Sequence, residues 1–262
     1  MDLELNNKHV LITGGSKGIG LACARQFLRE GARVSLVSRN ASNLALAVSA
    51  LGEEGHRCVT SAADMSKSVE ALQTINDVEN AEGPVDILVN SAGAAALHPF
   101  SELSPDVWSA AMTSKFITYI NVMDPMIKRM ATRGGGAIVN VIGMGGKVAM
   151  AHHLAGGAAN AALMLATAGL ASAYGQAGVR VNAVNPAGTL TERITGSLQA
   201  EAKQRNISIE QAMQEKSSKA ALGRIAHPEE IADAVVYLAS SRASYINGAI
   251  LSMDGATVPV II

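Results

Sequence analysis

Thr13-Gly14-Gly15-Ser16-Lys17-Gly18-Ile19-Gly20 follows an apolar β-rich run, residues 8–12, and opens a helical pattern. Glycines at 14, 18 and 20 let the backbone turn sharply and come close to a pyrophosphate. The helix start behind them offers unpaired N–H groups and a positive dipole end to the phosphates. In this strand–loop–helix setting the loop reads as a dinucleotide cradle. Ser38-Arg39 ends the second β-rich run, where an adenosine ribose would be met. An acid there would accept from a 2′-OH. Arg39 instead can pair bidentately with a 2′-phosphate, Lys17 can add a second positive charge, and Ser38 can donate a hydrogen bond. The pattern points to NADP(H) over NAD(H). For proton transfer near pH 7 the natural groups are the adjacent His152 and His153, with His98 further upstream. Cys23 and Cys58 are the only cysteines, with no His or Cys partner at metal-ligand spacing. They read as reduced structural thiols, and no metal is expected.

The elements that must carry these groups alternate strictly. Strands are expected near residues 8–12, 33–37, 57–61, 86–89, 136–142, 179–184 and 249–252. Helical patterns lie between them, including one long helix over 104–130 and an Ala-rich buried helix over 151–174. Such alternation predicts an α/β fold: a doubly wound, seven-stranded parallel sheet with helices on both faces, connected by right-handed crossovers. No linker or internal repeat divides the chain, so residues 1–262 form one domain, with a polar stretch at 189–222 as its substrate lid. Of the 262 residues 48% are apolar and only 3% aromatic, which suits tightly layered elements. The net charge of −1 is spread along the chain, giving nucleic acid no basic patch to bind. With no signal pattern and no apolar run near the roughly 18 residues of a membrane span, the expectation is a cytoplasmic protein acting on a small molecule.

Further motifs resemble the short-chain dehydrogenase/reductase family, in that family's order and over almost the whole chain. The glycine spacing is similar to the family's. Asp64 falls at the adenine-contacting aspartate, and Asn90-Ser91-Ala92-Gly93 resembles Asn-Asn-Ala-Gly with Ser91 as a variant. Arg180-Val181-Asn182-Ala183-Val184-Asn185-Pro186 resembles the sixth strand, and Thr191 falls where a threonine bonds the nicotinamide carboxamide. Arg224, Pro228-Glu229-Glu230-Ile231-Ala232 and Asp254-Gly255 match the C-terminal signature. The resemblance implies a cofactor site of Gly14, Ser16, Lys17, Gly18, Ile19, Gly20, Ser38, Arg39, Asp64, Met65, Asn90, Ala92, Gly93, Asn160, Pro186, Thr189 and Thr191.

The same resemblance exposes a departure. In the family a tyrosine transfers the proton on the substrate oxygen, a lysine four residues later lowers its pKa, a serine polarises the carbonyl, and an asparagine in the fourth helix anchors the lysine. Aligned from two directions, Gly143 stands at the serine, Gly156 at the tyrosine and Asn160 at the lysine. Trp108 sets the register that puts Lys115 at the asparagine. Glycine cannot transfer a proton, yet hydride chemistry still needs an acid or base at oxygen. His152 and His153 precede the empty tyrosine position, and Lys115 can direct an ammonium toward the vacant lysine site. The bland alternatives are a solvated histidine pair and a lysine that snorkels out of its helix. Tyr119 and Tyr174 stand at the wrong positions in the pattern and read as structural. Three functions follow: an NADP(H)-dependent oxidoreductase acting on a carbonyl/alcohol or activated alkene, with a substitute proton donor or a proton from the substrate itself; a non-catalytic NADP(H) binder; or a lyase-like enzyme using the same pocket. The apolar tail Val258-Pro259-Val260-Ile261-Ile262 and the Ala-rich helix imply, on the resemblance, a homotetramer.

Overall fold

The computed structural model describes residues 1–93 and 96–259. Its strands are β1 (His9–Thr13), β2 (Arg33–Ser38), β3 (Cys58–Ala62), β4 (Ile87–Asn90), β5 (Gly136–Val141), β6 (Val179–Pro186) and β7 (Ile250–Met253). They form one parallel sheet in the order β3-β2-β1-β4-β5-β6-β7. The inner strands are buried on both sides, which is why they read as unbroken apolar runs and not as alternating ones. The chain travels outward from β1 to β3, then returns to lay β4 on the other side of β1. That reversal leaves a crevice beyond the carboxyl ends of β1 and β4.

Helices cover both faces. α1 (Gly18–Arg29), α2 (Ala41–Ala50) and α9 (Pro228–Ala239) pack on one, around Phe27, Leu28, Leu44 and Ile231. α3 (Ser68–Glu82), α5 (Thr118–Thr132) and α6 (Leu154–Tyr174) pack on the other, around Ile75, Met123, Met126 and Ile127. A smaller cluster of Tyr119, Ile142, Leu163 and Ala183 lies beneath the crevice.

The long helix expected over 104–130 is continuous from Pro105 to Thr132 but not uniform: α4 (Pro105–Ala111), capped by Ser104 Oγ on Val107 N at 3.3 Å, passes through a π-helical turn at Met112–Ile117 into α5. A π turn widens the helix locally, often at functional sites, and this one turns Lys115 inward to 6% exposure. Two expectations need correction. The polar stretch near 189–222 is two helices, α7 (Glu192–Arg205) and α8 (Ile209–Ser217), which share their own small core of Leu198, Ala202 and Ala212. Finally, 154–177 is apolar and long enough to cross a membrane, contrary to the expectation that no run was. The cause is its alanine and glycine content. In the fold, Ala159, Leu163, Thr167 and Ala171 of α6 are buried in the protein interior. Val260, Ile261 and Ile262 of the apolar tail lie outside the described residues.

Candidate active site

The loop between β1 and α1 forms one wall of the crevice. Gly14 has φ +69°, and a Cβ there would lie 2.7 Å from the Ala92 backbone, so the chain after β4 packs directly on the loop. Gly18, at φ +54°, faces the Thr191 methyl, where a Cβ would come within 3.1 Å. Lys17 is the N-cap of α1 and provides no side-chain cap, so the first-turn N–H groups are left for a ligand. Ser16 and Ile19 are half-buried beside them, and Gly20 is buried. Lys17 Nζ bonds Glu192 Oε2 of α7 at 2.8 Å, so its charge is already paired across the crevice. Ser38 and Arg39 stand at the end of β2, Arg39 exposed. Asp64 is held below the usual carboxylate range, first by the Ser66 N–H and then, more weakly, by the Arg39 charge.

Two members of the expected cofactor set point elsewhere. Met65 is 4% exposed with its side chain in the core, and its carbonyl accepts from Asn121. Asn90 is fully buried: it accepts from Thr13 Oγ1 at 3.3 Å and donates to Asn140 Oδ1 at 3.0 Å. Asn140 continues the chain to Thr167 Oγ1 at 3.0 Å. This buried ladder ties β1, β4, β5 and α6 together, and sequence patterning treated Asn90 as a ligand contact only.

The opposite wall gathers the residues expected to do chemistry. Gly143, at φ +132°, donates its N–H to Asn185 Oδ1 at 3.1 Å. A Cβ there would stand only 3.2 Å from Asn160 Nδ2, so the amide of Asn160 already lies against this position. Asn160 is 5% exposed, and Gly156 is buried in the first turn of α6. His152 is exposed and its carbonyl accepts from His98 N at 3.1 Å. His98 itself lines a cavity of about 240 Å³ with Ala96, Val107, Ala110, Ala111 and Ser114. His153 turns inward. Its ring lies against Gly145, and burial, then the charges of His152 and Lys115, hold its pKa below the usual imidazole value.

Lys115 is the buried cation of the site. Its Nζ donates to Tyr119 Oη at 2.8 Å and to the Val141 carbonyl at 2.9 Å, two residues before Gly143. Burial, and secondarily the charge of Arg193 in α7, lower its pKa to about 7. Tyr119 is 0% exposed, and burial pushes its phenol up. The reading of Tyr119 as a bystander thus missed a contact that its i,i+4 spacing from Lys115 already allowed. Tyr174 packs at the edge of the core.

Among the described residues, three buried side-chain atoms lack a hydrogen-bond partner: His153 Nδ1, Asn185 Nδ2 and Thr189 Oγ1. Orphaned buried polar groups are costly, and ones at the rim of a crevice suit a ligand. Asn185 was not among the expected site residues. Its Oδ1 is identified by the Gly143 N–H that it accepts, which leaves Nδ2 as a free donor. Thr189 and Thr191, with Thr191 Oγ1 on the Thr189 carbonyl at 3.3 Å, stand just beyond Pro186 at the end of β6. Glycine cradle, open helix start and orphaned donors together fit a bound dinucleotide.

Known proteins match this chain in sequence and in overall fold. The family described as short chain dehydrogenase matches residues 8–209. D-threitol dehydrogenase of Mycolicibacterium smegmatis is 36% identical over 259 residues, covering 97% of this chain and 94% of that protein. The structure of L-sorbose reductase from Gluconobacter frateurii, complexed with NADPH and L-sorbose, superposes with a TM-score of 0.94 at 29% identity, covering 100% of both chains. An actinorhodin polyketide ketoreductase with NADPH gives 0.92 at 27% identity, covering 97% of this chain and 98% of that one. The chain belongs to the short-chain dehydrogenase family of oxidoreductases.

Proposed function

We propose that the protein is an NADP(H)-dependent oxidoreductase that interconverts a hydroxyl and a carbonyl on a small hydroxylated substrate, with Lys115 handling the proton. The observation that carries this reading is a buried amine held by two neutral acceptors, one of them the Val141 carbonyl two residues before Gly143. The N-terminus of α1 and the glycine loop hold the pyrophosphate, and Arg39 takes the 2′-phosphate. Thr189 and Thr191 bond the carboxamide, and Asn160 bonds the nicotinamide ribose. A nicotinamide cofactor held by these residues would supply the hydride chemistry. On the protein side, Asn185 Nδ2 donates a hydrogen bond to the carbonyl oxygen where the family uses a serine. The Lys115 ammonium gives one proton to that oxygen and is left as the neutral amine. In the reverse direction the neutral amine takes the hydroxyl proton. An amine with a pKa near 7 serves both directions. The sugar-alcohol and ketose substrates of the threitol and sorbose relatives support a polyol or ketose class. α7 and α8 act as the lid over that substrate.

A second reading assigns the proton to His153, because its Nδ1 is buried without a partner. The two are separated by one experiment: stereospecific deuteride transfer from labelled NADPH to a panel of ketoses. Lys115→Met is expected to abolish transfer while His153→Ala retains it; the opposite pattern moves the role to His153. Tight NADPH binding with no transfer to any carbonyl would instead leave a non-catalytic NADP(H) binder.

A further inference from the structure

The family's proton couple is a tyrosine followed four residues later by a lysine on one helix. Here those positions are Gly156 and Asn160 of α6, and a lysine followed four residues later by a tyrosine stands on the π turn and α5, packed against α6. The two side chains meet each other and share one acceptor. Lys115 Nζ and Tyr119 Oη are 2.8 Å apart, and each donates to the Val141 carbonyl, at 2.9 and 2.5 Å. The ammonium also stands over the phenol ring, 4.4 Å from its centre.

This triangle settles who donates to whom. A phenol has one proton, and Tyr119 gives it to Val141. Toward Lys115 the phenol oxygen therefore presents only lone pairs. It fixes the amine in place and supports its charged form with a neutral acceptor, without the full compensation a carboxylate would bring. Tyr119 has given its single proton to Val141, so it holds none for a substrate. The groups that face Lys115 from other elements are His153 at the start of α6 and Arg193 in the first turn of α7; β5 contributes the Val141 carbonyl. Among the described residues no carboxylate acts on the amine.

Resting on the assignment of the proton to Lys115, we infer that Tyr119 is its positioning residue: the phenol holds the amine in place and sets the pH at which it releases its proton. The couple has moved to the facing helix with its roles exchanged, the amine reacting and the phenol supporting.

The test is a direct titration of Lys115 in the full chain labelled with 13C,15N-lysine, the resonance being assigned by its loss in Lys115→Met. Wild-type Lys115 is expected to titrate near pH 7. In Tyr119→Phe the midpoint is expected to fall by about one unit, because the charged form loses a hydrogen bond that the neutral form needs less. Tyr174→Phe is expected to leave it in place. An unmoved midpoint in Tyr119→Phe overturns the proposal, since a phenol that merely fills space would not alter the titration. If Tyr119→Phe does not fold, incorporation of 3-fluorotyrosine weakens the phenol as an acceptor with little change in shape. The midpoint is then expected to move the same way, and a fixed midpoint overturns the proposal again. A wild-type Lys115 titrating near its ordinary value would instead sink the assignment of the proton to Lys115, and the proposal with it.

Discussion

Burying an ammonium among neutral acceptors is costly, and Lys115 is a buried amine that bears that cost when charged. Its folded pKa near 7, against 10.5 for a free lysine, corresponds to a penalty on the order of 5 kcal/mol when the group is charged. Below pH 7 both folded and unfolded chains hold the proton, and the penalty is fully present. Between about 7 and 10.5 the unfolded chain binds a proton that the folded chain does not, so wild-type stability rises with pH across that window. Lys115→Met removes the penalty. The variant is expected to be more stable than wild type at pH 6, with the advantage shrinking toward pH 10, in thermal melts over that range. A pH-independent difference would refute the depressed pKa. Arg39 makes a separate prediction at the same scale. Arg39→Ala is expected to weaken NADPH about tenfold or more through loss of a charge-assisted pair, and NADH hardly at all, by fluorescence titration. Equal losses would refute the 2′-phosphate assignment.

At the scale of elements, two turns set the site. The π turn between α4 and α5 turns Lys115 inward, and the backbone after β5 brings Gly143 against Asn160. Sequence comparison alone invites restoring the usual chemistry with Gly143→Ser, Gly156→Tyr and Asn160→Lys. The structure argues against success. Gly143 sits at φ +132° and ψ 142°, close to a region essentially reserved for glycine, and a side chain there presses on Asn160. Strain of about 1–3 kcal/mol is expected from Gly143→Ser alone. The triple variant is therefore expected to melt lower than wild type and to gain no general carbonyl reductase activity. A stable variant with such activity would mean that the backbone relaxes freely and that the site is a simple loss of the usual residues.

At the scale of the molecule, the described surface leaves apolar side chains outside both cores. Leu165 on the outer face of α6 is 76% exposed, and Val69 and Leu72 on α3 are 80% and 45% exposed, Leu72 beside a cavity shared with Ile120 and Pro125 of α5. Such faces fit contacts between copies of the chain. The prediction is a homotetramer in sizing experiments at micromolar concentration, reduced to a smaller species by Leu165→Glu. A wild-type monomer would refute it. The same view explains the apolar length of α6: one side is core and the other is this face.

The sheet, its helices and the glycine loop were legible in the sequence because they rest on local pattern: unbroken apolar strands, a glycine sequence with one conformational use, and short elements in strict alternation. The vacant serine, tyrosine and lysine positions were expected by alignment to the family. The pairing of Lys115 with Tyr119, the free amide of Asn185, the inward turn of His153 and the structural use of Asn90 were not. Most depend on contacts between residues far apart in sequence, which leave no mark in composition or period; Lys115 and Tyr119 stand at a spacing that allows their contact, but the π turn and the Val141 carbonyl that both reach decide that it forms. Residue type decided which groups this protein owns; burial and distance, which exist only in the folded chain, decided which of them meet and at what pH they ionise.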